Sequence, residues 1–294
     1  MGIDRRGRIE ILRIATARHC ATLASVQPVD NAGLIDAPGF QSPRLIDNLG
    51  DCSFYHAMDL PGYGFQPGQW DLRKDVDNYL GNQDFRGKSV VDVGTASGFL
   101  CFEMEKRGAS VTAFDLFFKH GDHLIDRIPY ADFDQRFGMT PQQQLEERRY
   151  MLNRAQNSFW LSHRALQSKA KLYSGTAYQC PAEMGQFDYA FFGSILLHLQ
   201  NPVQALISFA QVTREKVIVT DLYENIGHAA DGPVLFFRPI ATDQNSDTWW
   251  YITPKFLQSL LGILGFQKFS VKTHHARFVL SQKDVKLYTV VAER

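Results

Sequence analysis

Ser89-Val-Val-Asp-Val93 is a strand-length apolar run that stops at the loop Gly94-Thr-Ala-Ser-Gly98. A continuous apolar run of this length suits a strand buried on both faces of a parallel sheet. The loop leads into a segment with helical character, from about Ser97 to Arg107, and Gly108 stops it. A second apolar run, Ser110-Val-Thr-Ala-Phe114, ends at Asp115. Together these pieces make a strand–loop–helix–strand unit. They commit the chain to an α/β architecture with strands joined by helical crossovers.

The rest of the sequence repeats that alternation with one long interruption. Strands are expected at 170–174, Phe187–Phe192 and Lys216–Asp221. Helices are expected to start at Asn201-Pro202 and Thr253-Pro254, because proline is pre-set for a first helical position. Two closing strands, Phe266–Val271 and Val285–Val291, read as an antiparallel hairpin. Residues 117–165 break the alternation. The stretch from Gln142 to Lys169 is rich in Gln, Glu, Arg and Leu and is expected to be helical, forming a lid inserted in the domain. Residues 1–50 read as a peripheral N-terminal extension, broken by Pro28, Gly33, Pro38, Gly39 and Pro43, and residues 51–294 as the main domain.

Glycine serves two ends in a turn of this kind. It takes backbone angles that other residues adopt at a cost, and it lets a ligand approach the main chain. The following helix aims free N–H groups at that ligand. Gly94 and Gly98 suit both demands, whereas Ala96 stands where a Gly-x-Gly-x-Gly loop has its central glycine. Asp115 follows Gly98 by 17 residues and ends the second strand, where a carboxylate can accept hydrogen bonds from both hydroxyls of a ribose. A dinucleotide loop reads G-x-G-x-x-G instead. Asp92, two residues before the first glycine, suits a cationic ligand better than a pyrophosphate. A nicotinamide oxidoreductase is therefore disfavoured.

Val90-Val-Asp-Val-Gly-Thr-Ala-Ser-Gly-Phe-Leu100 resembles motif I of the class I S-adenosylmethionine-dependent methyltransferases. Phe102–Ala109 with Val111–Asp115, Tyr55-His56 with Pro67–Asp71, Gly185–Tyr189 with Gly193–Leu199 and Asn201-Pro202, and Thr248-Trp-Trp250 are similar to a bacterial subgroup related to the tRNA wobble-uridine (carboxy)methyltransferases. The resemblance implies a Rossmann-like sheet of seven strands with the last one antiparallel. It implies S-adenosyl-L-methionine as cofactor. Asp92, Gly94, Thr95, Ala96 and Gly98 would hold its methionine end, Asp115 and Leu116 its ribose, and Thr176 and Ala177 its adenine. Ser194 and His198 would border the transfer pocket. The residues with which the tRNA enzymes hold a carboxylated cofactor find no match here.

Methyl transfer from a sulfonium is an in-line displacement in which positioning carries most of the rate. A base is needed only where the acceptor loses a proton during attack. His198 and His56 are the candidates, each against the plainer reading of a loop-ordering histidine. Tyr55, Trp70, Trp249 and Trp250 are candidate acceptor-pocket walls, with core packing as the alternative. Asp221 ends a strand and reads as a solvated acid or an acceptor contact, and His274-His275 as surface. Gly94→Val is expected to abolish ligand binding with the fold largely intact.

Lys+Arg and Asp+Glu are each 31. That balance disfavours a nucleic-acid substrate, which usually demands a basic excess. An RNA reading would need a local basic stripe, with Arg148, Arg149, Arg154 and the N-terminal arginines as its sources. Cys20, Cys52, Cys101 and Cys180 form no C-x-x-C pair and fit no zinc site, so no metal is expected. No apolar run reaches the roughly 20 residues of a membrane span, and a cytoplasmic protein is expected. The expected partner is a small-molecule methyl acceptor. A monomer and a homodimer stay open, as does a non-catalytic cofactor-binding protein.

Overall fold

The computed structural model describes residues 38–116, 126–224, 227, 231–242 and 245–294. The N-terminal arginines and most of the expected 1–50 extension lie outside the described residues, as do residues 117–125 of the expected lid.

Where the apolar runs stood, strands form: β5 (Ser89–Val93), β6 (Ser110–Asp115), β7 (Lys171–Ser174), β8 (Phe187–Gly193) and β9 (Thr213–Leu222). Before them come the short β1 (Gly39–Phe40), β2 (Met58–Leu60), β3 (Gly64–Gln66) and β4 (Trp70–Asp71). After them come β10 (Leu235–Phe237), β11 (Trp250–Ile252), β12 (Lys268–Phe278) and β13 (Lys283–Glu293). The helices are α1 (Val76–Tyr79), α2 (Phe99–Lys106), α3 (Phe133–Phe137), α4 (Pro141–Ala165), α5 (Pro202–Ala210) and α6 (Pro254–Ile263).

The main sheet runs β1-β7-β6-β5-β8-β9-β13-β12-β4. Strands β7, β6, β5, β8 and β9 are mutually parallel, and β13 lies antiparallel between β9 and β12. This is the Rossmann-like arrangement of class I methyltransferases. The sheet has nine strands rather than seven. The additions are two-residue strands, β1 and β4, that pair antiparallel with the edges. Two residues are too few to show an alternation, yet they cover edges that would otherwise present unpaired backbone groups.

Side chains of a strand alternate between faces, and the core divides accordingly. On β8, Tyr189 and Phe191 join a cluster with Leu100, Phe102 and Phe159. Ala190 and Phe192 join another with Phe114, Phe209 and Leu257. Both proline-led helices are capped as their sequences suggest. Asn201 accepts from the Gln204 amide and Thr253 from that of Phe256.

Helix α4 begins with a capping box, Thr140 and Gln143, and runs 25 residues. Its C-terminal part buries Phe159, Trp160 and Leu161 as the ordinary crossover between β6 and β7. Its N-terminal part extends past the sheet and overhangs a cavity. Over Pro141–Ala165, insert and crossover are one helix, with the separate α3 before it. Arg154 holds it to the preceding chain by bonding the carbonyls of Gly50 and Cys52.

Two surface expectations fail. Asp221 is 2% exposed rather than solvated. His274 is 6% exposed, and its ring nitrogens contact Asp75 Oδ2 at 3.1 Å and Thr289 Oγ1 at 3.0 Å. The strand expected from the sequence ends at Val271. In fact β12 runs on to Phe278 with His274, Ala276 and Phe278 all turned inward. Among the described residues, no helix is long and apolar enough to cross a membrane.

Candidate active site

A cavity of about 280 Å³ opens at the C-terminal ends of β5, β6, β7 and β8, where parallel α/β sheets bind ligands. The loop after β5 forms its floor through Gly94 and Ala96, and Asp115 and Leu116 continue the wall. Ala177, Ser194 and His198 enter from the loops after β7 and β8. Tyr55 and His56 close it from the chain before the sheet, and α4 roofs it with Met151, Leu152 and Ala155.

The loop owes its shape to left-handed backbone. Gly94 has φ 82°, Gly98 φ 88° and Ala96 φ 50°. A Cβ on Gly94 would lie 2.8 Å from Ile195 Cγ1, so a larger residue there strains the turn and pushes on the loop after β8. Gly94→Val therefore disturbs the fold as well as any ligand, which corrects the expectation of an intact fold. Gly98 lies off the cavity wall. A Cβ there would come within 2.5 Å of Phe102 and 2.7 Å of Phe159, so Gly98 allows α2 to pack against α4.

Ala96 sits in the conformation the missing glycine would take freely. Ala96→Gly is expected to make the protein about 0.5–1 kcal/mol more stable, relief of left-handed strain outweighing the added chain entropy. Urea unfolding measures this, and a less stable variant would mean that the Ala96 methyl packs productively.

Asp115 is half-buried, and its two oxygens accept the N–H groups of Ala96 and Leu116, each at 2.7 Å. It therefore pins the glycine loop to the end of β6. Each oxygen retains a further lone pair. Burial raises its pKa, against the lowering effect of these two bonds and of Arg148 nearby.

Asp92 and Thr95 lie beneath the loop rather than on the cavity wall. Asp92 is 1% exposed and accepts the Thr95 hydroxyl at 2.7 Å. Burial pushes its carboxyl up to about 7. An unfolded Asp titrates near 3.9, so folding penalises the ionised form. The stabilisation from keeping Asp92 neutral is complete in acid and lost as pH rises through about 7. Asp92 therefore contributes a fall in stability, read as melting temperature, between about pH 4 and 7, by the equivalent of on the order of a few kcal/mol. The depressed pKa of His56 partly offsets this in the wild type, its contribution rising with pH up to about 6.5. Asp92→Asn should flatten that fall. Asp221, also buried and pushed to about 7, should carry the remainder. An unchanged slope in Asp92→Asn would contradict the assignment.

His56 is 5% exposed, and its Nδ1 has no partner among the described residues. Burial pushes the imidazole down to about 3, so it is neutral at working pH. A short turn clamps it. Ala57 N–H donates to the Trp70 carbonyl at 2.7 Å, and Trp70 N–H to the Tyr55 carbonyl at 3.1 Å. A Cβ on Gly68 would fall 2.3 Å from the His56 carbonyl carbon, so only glycine fits the turn. Trp70 thus braces the wall and is not part of it.

His198 ends a 3-10 turn, Leu196–His198, one third exposed on the cavity wall. Its Nδ1 lies 2.9 Å from the Asp247 carbonyl oxygen. A carbonyl only accepts, so Nδ1 carries the hydrogen and Nε2 is left with its lone pair. Trp249 and Trp250 stand behind this turn. Trp249 N–H donates to the Leu197 carbonyl at 2.9 Å, and Trp250 Nε1 to the Leu199 carbonyl at 3.0 Å. Both brace the His198 turn, and neither lines the cavity. Ser194, at φ 51°, bonds the Tyr79 hydroxyl at 3.0 Å and reaches the wall. Thr176 is exposed off the wall, beside Ala177 on it.

Several wall residues escaped the sequence reading, which named Arg148 only as a source of a basic stripe. Arg148, Met151, Leu152, Ala155 and Gln156 stand at the three- and four-residue spacing of one helical face, a signal present in the sequence but without a motif beside it. Asp126 accepts from the Tyr178 hydroxyl and the Gln200 amide. Neither Asp126 nor Asp247 sits in a pattern that would have marked it.

No protein-family model matches the chain, and no curated protein matches it in sequence. Among solved structures it is similar to magnesium protoporphyrin IX methyltransferase from Synechocystis with S-adenosylmethionine bound. The identity is 12%, over 75% of this chain and 77% of that one, with a TM-score of 0.43. It is also similar to 1,6-didemethyltoxoflavin-N1-methyltransferase from Burkholderia thailandensis, at 15% identity over 74% of each chain and a TM-score of 0.42. A third is an S-adenosylmethionine-dependent methyltransferase from Methanosarcina mazei, at 16% identity, 76% and 98% coverage and a TM-score of 0.44. At these identities the likeness is one of fold, which the strand order gives independently.

Proposed function

We propose that this protein is an S-adenosylmethionine-dependent methyltransferase acting on an oxygen or nitrogen of a small-molecule acceptor. One observation carries the reading: a single cavity unites the Asp115 carboxylate, pinned to the glycine loop, with His198, whose Nε2 is left as an acceptor. The free lone pairs of Asp115 suit a ribose diol. Gly94 and Ala96 offer backbone to a methionine end, and Ala177 and Leu199 apolar surface to an adenine. When bound, the cofactor supplies an electrophilic methyl group and leaves as a neutral thioether. His198 Nε2 would take the proton that the acceptor oxygen or nitrogen loses on methylation. His56, held neutral, orients a donor group. Helix α4 excludes water from the exchange.

The tRNA reading needs a free basic stripe. Arg154 is tied to backbone carbonyls, and Arg148 lies on the wall of a roofed cavity, too small for a polynucleotide, rather than on an open surface. The test is transfer from radiolabelled S-adenosylmethionine into a cell extract, preceded by a titration with S-adenosylhomocysteine. Label should appear in the small-molecule fraction. Label in RNA would overturn the acceptor class, and absence of S-adenosylhomocysteine binding would overturn the cofactor.

A further inference from the structure

Helix α4 presents to the cavity a stripe with a polar group at each end. Gln156 closes one end by donating to the Leu116 carbonyl at 3.0 Å, beside the ribose acid. Arg148 stands eight residues earlier, about 12 Å back along the helix axis. Between them the face is apolar: Met151, Leu152 and Ala155.

Arg148 is half-buried on the wall. Its Nε is shielded from solvent with no hydrogen-bond partner, and it forms no ion pair among the described residues. Asp115 lies within electrostatic range of Arg148, and Asp247 and Glu147 within range of Arg127, but none of them bonds a guanidinium among the described residues. Asp115 accepts two backbone N–H groups, and Asp126 accepts from Tyr178 and Gln200. Asp247 Oδ1 lies 3.9 Å from His198 Nδ1. A second guanidinium lies within electrostatic range of Arg148. Arg127 Nε also has no partner among the described residues, and its Nη1 donates to the neutral Ser246 hydroxyl at 3.0 Å. Ser246 adjoins Asp247, whose carbonyl orients His198. Arg148 thus lines the cavity, while Arg127 stands off its wall, tied to the segment that carries Asp247.

Two guanidinium groups held near each other in low-dielectric surroundings, without a bonded carboxylate, are costly unless a ligand brings the anion. The fork of an arginine matches a carboxylate or phosphate with two parallel hydrogen bonds. We propose that Arg148, supported by Arg127, recognises an oxyanion on the methyl acceptor, so that the substrate is an anionic small molecule, a carboxylate or a phosphate ester. This rests on the methyltransferase reading, since it places the anion on the acceptor rather than on the cofactor.

The test uses the full chain saturated with S-adenosylhomocysteine. Arg148 is labelled with phenylglyoxal and followed by peptide mass spectrometry, with benzoate, phenyl phosphate or the neutral benzamide added. Labelling should persist with S-adenosylhomocysteine alone. It should slow about tenfold under saturating benzoate or phenyl phosphate, and not under benzamide. Whichever anion protects names the group. Anion-dependent thermal stabilisation of the same complex should vanish in Arg148→Gln. Protection by neither anion, equal protection by benzamide, or an Arg148→Gln variant stabilised like the wild type overturns the proposal. Full protection by S-adenosylhomocysteine alone also overturns it, because Arg148 then belongs to the cofactor. If S-adenosylhomocysteine fails to bind at all, the methyltransferase reading falls first, and that result is visible before any anion is added.

Discussion

His198→Ala lowers turnover by roughly 10²–10⁴ and leaves affinity for S-adenosylhomocysteine nearly unchanged, as expected for loss of a general base. The geometry singles out this residue. The Asp247 carbonyl fixes the hydrogen on Nδ1, and Nε2 carries the lone pair on a ring that lines the cavity. His56 lines the same cavity, but burial pushes it down to about 3, which makes it a poor proton acceptor. Because the backbone carbonyl orients His198, Asp247→Asn should preserve most of the turnover, and that variant serves as the control. The measurement is single-turnover methyl transfer at saturating cofactor. Wild-type rates in His198→Ala would reduce the residue to a brace for its loop.

Asp115→Ala should weaken cofactor binding by about 1–3 kcal/mol, the range for losing hydrogen bonds to a charged group. The carboxylate does two things at once. It offers free lone pairs to a ribose, and it holds the Ala96 and Leu116 N–H groups at 2.7 Å. Asp115→Asn separates the two. An amide has one accepting oxygen, so its NH₂ must face one of those N–H donors. The asparagine variant should therefore bind as poorly as the alanine variant, despite its size. Calorimetric titration with S-adenosylhomocysteine measures both. Near wild-type affinity in either variant would remove Asp115 from the ribose site.

The unit from Ser89 to Asp115 was legible because each part signals itself locally. An apolar run, two glycines that need left-handed backbone and a strand-end acid are chemical facts of their own residues. His198 and Tyr55-His56 were found through resemblance and do reach the cavity. Trp70, Trp249 and Trp250 were candidate walls because large aromatics suit pockets, with core packing as the alternative. They serve instead through backbone groups and indole N–H donors that brace the His56 and His198 turns. Composition is blind to that distinction. Gly98 looked like a ligand glycine, yet its missing side chain makes room for Phe102 and Phe159.

Sequence alone determined the alternation of strand and helix, the glycine loop and the acid that faces it, since these follow from backbone sterics and short-range periodicity. Tertiary structure decided what surrounds them. It folded Arg148 over the cavity, set Asp247 behind His198, buried His274 and capped both sheet edges with two-residue strands. Those outcomes depend on contacts between residues far apart in the chain. The free energy of such contacts comes from burial and pairing, which exist only once the whole sheet has assembled.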